Sequence, residues 1–294
     1  MYDAAIVGGG AAGLSAALLL GRARRRILVF DDGRQRNRFA RETHGFLSRD
    51  GVQPLELLQN AREQLERYDV ESTNATVAEI MPNGSHFGIR DASGQEIKAR
   101  RLVLATGVRD TLPEIDGLQA LWGQSIFTCP YCDGWEVRDR RLATFGTTRS
   151  GVQLAQELFQ WSPDLLVCSD LRTKIAPSER SWLTENAIRV KESPIRRLLG
   201  NDGALQTIEF EDGETIERDA LFLSVPLEQC SDLPERLGCN ITVRGQIDVD
   251  NDYRTSVPGC YAVGDAVTHL HQVVFAAASG ARAAIALNND LMGF

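Results

Sequence analysis

The chain has 294 residues, enough for two domains that each bury a core. Its apolar fraction of 43% and charged fraction of 24% exclude a disordered or fibrous chain. Lys and Arg number 32 against 40 acids, a formal charge of −8 that argues against nucleic acid or an anionic membrane as partner.

The first elements are short. Ala4–Val7 reads as an apolar strand, followed by glycines and a helical stretch from Leu14 to Arg24. Ile27–Phe30 is the next strand and ends in Asp31-Asp32-Gly33, so the start is a βαβ unit with parallel strands. The run Arg22, Arg24, Arg25, Arg26 between them reads as a solvated helix end. A helix is expected over Pro54–Arg67. Thr76–Ile80, His86–Ile89 and Glu96–Lys98 then read as a small antiparallel excursion, with turns at Asn83-Gly84 and Ser93-Gly94. The strand Leu102–Ala105 ends in Thr106-Gly107.

Pro113–Gly117 has the look of a domain junction, and beyond it the order repeats. Arg141–Phe145 is a strand, Gly146 opens a turn, Val152–Phe159 is helical and Leu165–Cys168 is the next strand. The insert is expected to end near Gly238–Gln246, after which Tyr261–Asp265 and an alanine-rich helix from Val273 to Leu287 resume the first pattern. The fold class is therefore α/β, two Rossmann-like nucleotide-binding domains with the second inserted into the first. The expected boundaries are 1–114 and 244–294 for the outer domain and 115–243 for the insert. Hinges are expected near Leu112–Gly117 and Gly245–Val249. No apolar run approaches the ~20 residues of a membrane helix. The start shows no basic leader or apolar signal core, so a cytoplasmic protein with reduced thiols is expected.

Two strings carry chemistry. Gly8, Gly10, Ala11, Ala12 and Gly13 lie in a GxGxxG turn between strand and helix. The first glycine permits the tight turn, the second lets backbone approach a pyrophosphate, and the third lets helix and strand pack closely. Asp31, 18 residues past Gly13, sits where an acid accepts hydrogen bonds from ribose hydroxyls, with Asp32 beside it. The second string is Cys129-Pro130-Tyr131-Cys132-Asp133-Gly134. A CxxC at a helix start or turn brings two thiols within disulfide reach, and Asp133 abuts them as a proton source. A structural zinc site needs four ligands, and neither Cys230 with Cys239 nor the histidines supply a second close pair. Cys168, Cys230, Cys239 and Cys260 read as small core residues. Tyr131 and Trp135 flank the thiol pair, as a contact surface or as helix packing.

These strings resemble the low-molecular-weight thioredoxin reductases. Leu104–Gly107, with Thr106 and Gly107, looks like that family's second FAD fingerprint. Tyr261–Asp265, with Gly264 and Asp265, looks like the third, and His271-Gln272-Val273 resembles the segment that passes the flavin ring. The resemblance spans nearly the whole chain. It implies FAD as cofactor and a homodimer. It further implies that Cys132 faces the flavin, Cys129 attacks an external disulfide and Asp133 shuttles the proton. The implied partner is a thioredoxin-like protein or a small disulfide or dithiol.

The insert departs from the family plan. Thr148 stands where the second glycine of Gly146–Gly151 belongs, and a side chain there would intrude on the pyrophosphate path. Cys168-Ser169-Asp170 replaces the histidine and paired arginines that relatives use for a 2′-phosphate, and Pro226 replaces a glycine. NADPH or NADH is therefore a doubtful cofactor even with Arg149 nearby. A protein donor such as reduced ferredoxin is the expectation. Gly33–Asn37 and His44–Phe46 are similar to a divergent branch that includes flavin-dependent dithiol oxidases. Asn37 and His44 join the cofactor candidates on that basis, His44 also as a base. Two alternatives stay open: a dithiol oxidase that passes electrons to oxygen, and a non-catalytic flavin redox sensor.

Overall fold

The computed structural model describes residues 1–146, 151–170 and 174–294. The chain forms two compact units. The first comprises Met1–Arg38, Gly45–Arg109 and Glu228–Phe294; the second comprises Phe39–His44 and Asp110–Leu227. Among the described residues no helix is long and apolar enough to cross a membrane.

The first unit is a parallel sheet in the order Val70–Asn74, Ile27–Asp31, Tyr2–Val7, Glu96–Leu104, with Cys260–Ala262 on the far side of Glu96–Leu104. Its central strands are continuous apolar runs because both faces are covered, and Ala4, Ala5 and Ile6 are fully buried. Glu96–Leu104 is one strand where two segments were expected. Its start pairs antiparallel with His86–Asp91, which pairs with Val77–Asn83, so one strand serves both the parallel sheet and the antiparallel excursion.

Helix Ala11–Arg22 covers one face through Leu14, Ala16, Ala17 and Leu20, and stops where Arg24 takes a left-handed conformation. Helix Val273–Met292 lies against it. The approach is close enough that a Cβ on Gly280 would stand 2.0 Å from the Ala12 carbonyl oxygen. The opposite face packs Phe30, Leu102 and Leu104 with Leu233, Leu237, Cys239 and Ile247. This corrects the expected boundary: residues 228–243 belong to the first unit, because the short helix Leu233–Leu237 buries its apolar face in that core. The chain passes between units at 109–110 and 227–228, not near 114 and 243, and the strands at those points, Val108–Asp110 and Leu227–Gln229, pair with each other.

The second unit repeats the plan. Its parallel sheet runs Arg189–Lys191, Leu165–Cys168, Leu142–Gly146, Ala220–Ser224, Ile126–Phe127. Helix Gly151–Leu158 buries Val152, Leu154, Ala155 and Leu158 against one face. The other face meets an antiparallel sheet of Ile195–Asn201, Ala204–Phe210 and Thr215–Glu217, through Leu198, Ile208 and Phe210. The CxxC lies between the strands Ile126–Phe127 and Leu142–Gly146.

Candidate active site

In the first unit the candidate nucleotide residues converge by topology. The turns after Tyr2–Val7, Ile27–Asp31, Glu96–Leu104 and Cys260–Ala262 all leave the carboxyl ends of parallel strands, where open α/β sheets bind ligands. Gly8 has φ +114°, and a Cβ there would lie 2.1 Å from the Ala105 carbonyl oxygen. Gly13 is equally confined, its Cβ position 1.9 Å from the Gly8 oxygen. Gly10 has open space around it, which is the cradle a bound pyrophosphate needs. As N-cap it offers no side chain, so the N–H groups of Ala11, Ala12 and Gly13 stay available to an anion.

Asp31 folds back onto the turn and accepts from Arg62 Nη2 at 2.6 Å and from the Gly33 amide at 3.0 Å. Asp32 pairs with Arg34. Arg36 reaches Asp265 at 3.5 Å, and Asn37 is half-buried in the same short turn of helix, Arg36–Phe39. Gly264, at φ +76°, donates its amide to Ser279 Oγ at 2.9 Å, tying the third fingerprint to helix Val273–Met292. His271 Nε2 bonds the Thr268 carbonyl at 2.8 Å, Gln272 caps that helix and Val273 begins it. Thr106 Oγ1 and Gln35 Nε2 are buried without a hydrogen-bond partner within the described protein, and Gly107 beside Thr106 has open space. Orphaned polar atoms on two of these turns, with the open cradle at Gly10, fit a polar dinucleotide such as FAD. Arg62 and Ser279 are partners that no sequence pattern singled out, and Arg36 stood only as a member of the string Gly33–Asn37.

The thiol pair is a disulfide with Cα atoms 5.3 Å apart. Cys129 caps the single turn Pro130–Asp133, and its carbonyl accepts from the amides of Cys132 at 3.1 Å and Asp133 at 3.2 Å. Pro130 at the first helical position fixes φ where no N–H is needed. Gly134 is required by space: a Cβ would stand 2.9 Å from the Trp161 ring. Tyr131 meets Trp161 edge-on at 5.6 Å yet is 68% exposed, and Trp135, under the Arg138 guanidinium, is 64% exposed. Both aromatics therefore present surface beside the disulfide.

Burial pushes the half-buried Asp133 carboxyl from its ordinary 3.8 up to about 7, with the Glu136 carboxylate adding to the rise and His44 opposing it. His44, grouped above with the cofactor residues, lies in the second unit because Phe39–His44 crosses into it. Arg41 Nη2 fastens that segment to Gln124 Oε1 and the Asp202 carbonyl, each at 3.0 Å, and Gly123 leaves room for Phe39. His44 Nε2 lies 3.4 Å from Glu42 and 3.5 Å from Glu136.

Of the other cysteines, Cys168, Cys239 and Cys260 are buried. Cys230 is exposed, contrary to the core reading. It follows the edge strand Leu227–Gln229, and its amide donates to the Gly107 carbonyl at 3.1 Å. In the insert's own glycine turn, Gly146 and Gly151 are described, whereas Thr148 and Arg149 lie outside the described residues. Asp170 is buried at φ +43° after Leu165–Cys168, and the Pro226 carbonyl accepts from the Thr111 amide at 2.9 Å.

Residues 2–280 match the family model described as pyridine nucleotide-disulphide oxidoreductase. A probable thioredoxin reductase of Arthroderma benhamiae is 35% identical, over 99% of this chain and 80% of its own length. The crystal structure of a putative thioredoxin reductase, TrxB, from Bacillus anthracis superposes with a TM-score of 0.94 at 33% identity, covering 100% of this chain and 99% of that one. The crystal structure of HlmI superposes at 0.95 with 36% identity, covering 99% and 93%.

Proposed function

The chain belongs to the pyridine nucleotide-disulphide oxidoreductase family as a thioredoxin-reductase-like, FAD-dependent enzyme; from that premise we propose that its working group is the Cys129–Cys132 pair, which reduces a thioredoxin-like disulfide. The observation that carries this reading is the closed disulfide on an exposed aromatic surface, directly followed by the Asp133 carboxyl that burial pushes up. Gly8–Gly13, Asp31, Thr106-Gly107 and Gly264-Asp265 would hold FAD, which would supply the electron pair for opening the disulfide. Cys129 is the sulfur that attacks the external disulfide, and Asp133 takes and returns the proton of Cys132. Trp135 and Tyr131 bracket the approach of the substrate. A carboxyl with a pKa near the working pH holds its proton in one step and accepts one in the next, as acid–base exchange requires.

The electron donor in this reading is a protein such as reduced ferredoxin rather than NADPH. Its support is the composition of the insert: Thr148 in place of a glycine, Asp170 in place of a phosphate-binding cation, and Pro226. Anaerobic titration with NADPH and then NADH tests it. The flavin should stay oxidised with both and bleach with reduced ferredoxin or dithionite; prompt bleaching by either nucleotide overturns the donor assignment and leaves the thiol chemistry standing. A second reading, favoured by His44 lying beside Glu136, runs the same pair in reverse as a dithiol oxidase. Oxygen uptake driven by a small dithiol, with hydrogen peroxide formed, would select it.

A further inference from the structure

The first unit holds two thiols that the proposed chemistry does not use. Cys239 follows the short helix Leu233–Leu237 and Cys260 opens the strand Cys260–Ala262, and both are buried in one core cluster. The chain on either side of Cys239 is fastened to Ser256. The Asn240 amide donates to Ser256 Oγ at 2.9 Å, and Ser256 Oγ donates to the Gly238 carbonyl at 3.3 Å. Thr255, next to it, is fastened to Cys260, whose carbonyl accepts from the Thr255 amide at 3.0 Å and from Oγ1 at 3.1 Å. These bonds bring the two residues side by side, and the Cys239 and Cys260 side chains hydrogen-bond to each other with Thr255 as a shared neighbour. Among the described residues no three His, Cys, Asp or Glu side chains gather to hold a metal, so the pair is a dithiol site. We propose that Cys239 and Cys260 are a second oxidisable pair, which hydrogen peroxide converts to a disulfide that ties residue 239 to residue 260 within the first unit.

Position and environment give the two thiols different roles. Cys239 is 6% exposed and Cys260 1%, so a small oxidant entering the core meets Cys239 first. The hydrogen bond with Cys260 favours the Cys239 thiolate, whereas burial holds the proton on Cys260. The Cys239 thiolate attacks one oxygen of hydrogen peroxide. The S–O bond forms, the O–O bond breaks, and hydroxide leaves and takes up the proton that Cys239 had released. The Cys260 sulfur then attacks the sulfur of the Cys239 sulfenic acid; the S–S bond forms, and the second hydroxide leaves with the Cys260 proton. Two electrons pass from the thiols to the peroxide, which becomes two molecules of water. The flavin and the Cys129–Cys132 disulfide take no part, so this oxidation is independent of the function proposed above. The new bond closes the chain between the end of helix Leu233–Leu237 and the strand that leads into Gly264-Asp265, and such a closure constrains the unfolded chain.

The test treats the flavin-loaded protein, its Cys129–Cys132 disulfide intact, with a small molar excess of hydrogen peroxide and no added thiol. The protein is then unfolded in N-ethylmaleimide, digested without reduction and mapped by mass spectrometry. The expected product is the Cys239 peptide joined to the Cys260 peptide, lighter than the two free peptides by two hydrogens. Cys168, which burial pushes up to about 12, should stay reduced and carry the maleimide. Recovery of Cys239 and Cys260 both as maleimide adducts, at a peroxide dose that oxidises the exposed Cys230, overturns the proposal. So does Cys239 recovered as sulfinic acid with Cys260 still free. The order of attack has its own readout: Cys260→Ser should leave a Cys239 sulfenic acid that dimedone traps, and no adduct there overturns the role of Cys239 as the attacking sulfur. If Cys260→Ser fails to fold, the peptide map of the unaltered protein decides alone. The joined form should also unfold at a higher urea concentration than the untreated protein, and an equal or lower midpoint removes its stapling role.

Discussion

The two units are built on one plan and use it differently. Each has a parallel sheet with a glycine turn leading into a helix on its face. In the first unit the turn is closed by backbone against backbone: the Cβ positions of Gly8 and Gly13 fall 2.1 and 1.9 Å from carbonyl oxygens. In the second, Gly151 at the corresponding helix start would place a Cβ 3.3 Å from Val167 Cγ1, 3.4 Å from Thr144 Oγ1 and 3.5 Å from the Cys168 carbonyl oxygen, all longer than those of Gly8 and Gly13. In the first turn Gly8 and Gly13 leave no room for a side chain, whereas Gly10 has open space. At Gly151 the contacts are looser, and the second unit carries the Cys129–Cys132 disulfide on a separate loop.

Substitutions at these two places sharpen the contrast. The largest effect belongs to the thiols: Cys132→Ser should lower disulfide reduction by at least about 10³-fold, the order seen when a nucleophile acting within a unit is removed. Flavin absorbance should remain, since the FAD-binding candidates Gly8–Gly13 and Gly264-Asp265 lie in the other unit. Retained turnover with thioredoxin would break the division of labour. Next, Gly13→Ala should destabilise by about 1–3 kcal/mol through overpacking, with a lower ratio of flavin to protein absorbance and an earlier urea midpoint.

A smaller effect is expected from pH. The folded Asp133 carboxyl holds its proton up to about 7, whereas the unfolded chain releases it near 3.8. The unfolded state therefore binds fewer protons between those values, and folding stability is lost as pH rises from about 4 to about 7, then levels. In Asp133→Asn the fall across that window should shrink, as measured by urea midpoints at pH 4.5 and 7.5. The smallest change is expected for Gly151→Ala, where the roughly 1 kcal/mol helix preference of alanine offsets the tight contacts. A loss as large as that of Gly13→Ala would show that both turns are equally constrained and remove the contrast.

The parts legible in the sequence are those written in local pattern. Ala4–Val7, Gly8–Gly13 and Ile27–Asp31 declare a strand, a turn and a strand by composition and spacing, and Cys129–Asp133 declares a redox pair within five residues. The crossing of Phe39–His44 into the second unit was not legible, because Arg41 finds Gln124 and Asp202 at separations no periodicity encodes. The place of residues 228–243 was hidden for the same reason: Leu233 and Leu237 are apolar in any domain, and only packing decides whose core they fill. Glu136 carried no assigned role, because a glutamate in a surface turn is ordinary until His44 is found 3.5 Å from it. The ion pairs of Asp31 with Arg62 and Asp265 with Arg36 likewise depend on tertiary placement.

The central claim is that bound flavin and the Cys129–Cys132 pair share electrons. It is tested most directly by photoreducing the flavin-loaded protein without oxygen, trapping free thiols with N-ethylmaleimide and locating the adducts by mass spectrometry. The account predicts adducts at Cys129 and Cys132 after the flavin bleaches and at neither before. A fully bleached flavin with the Cys129–Cys132 disulfide still closed would contradict it.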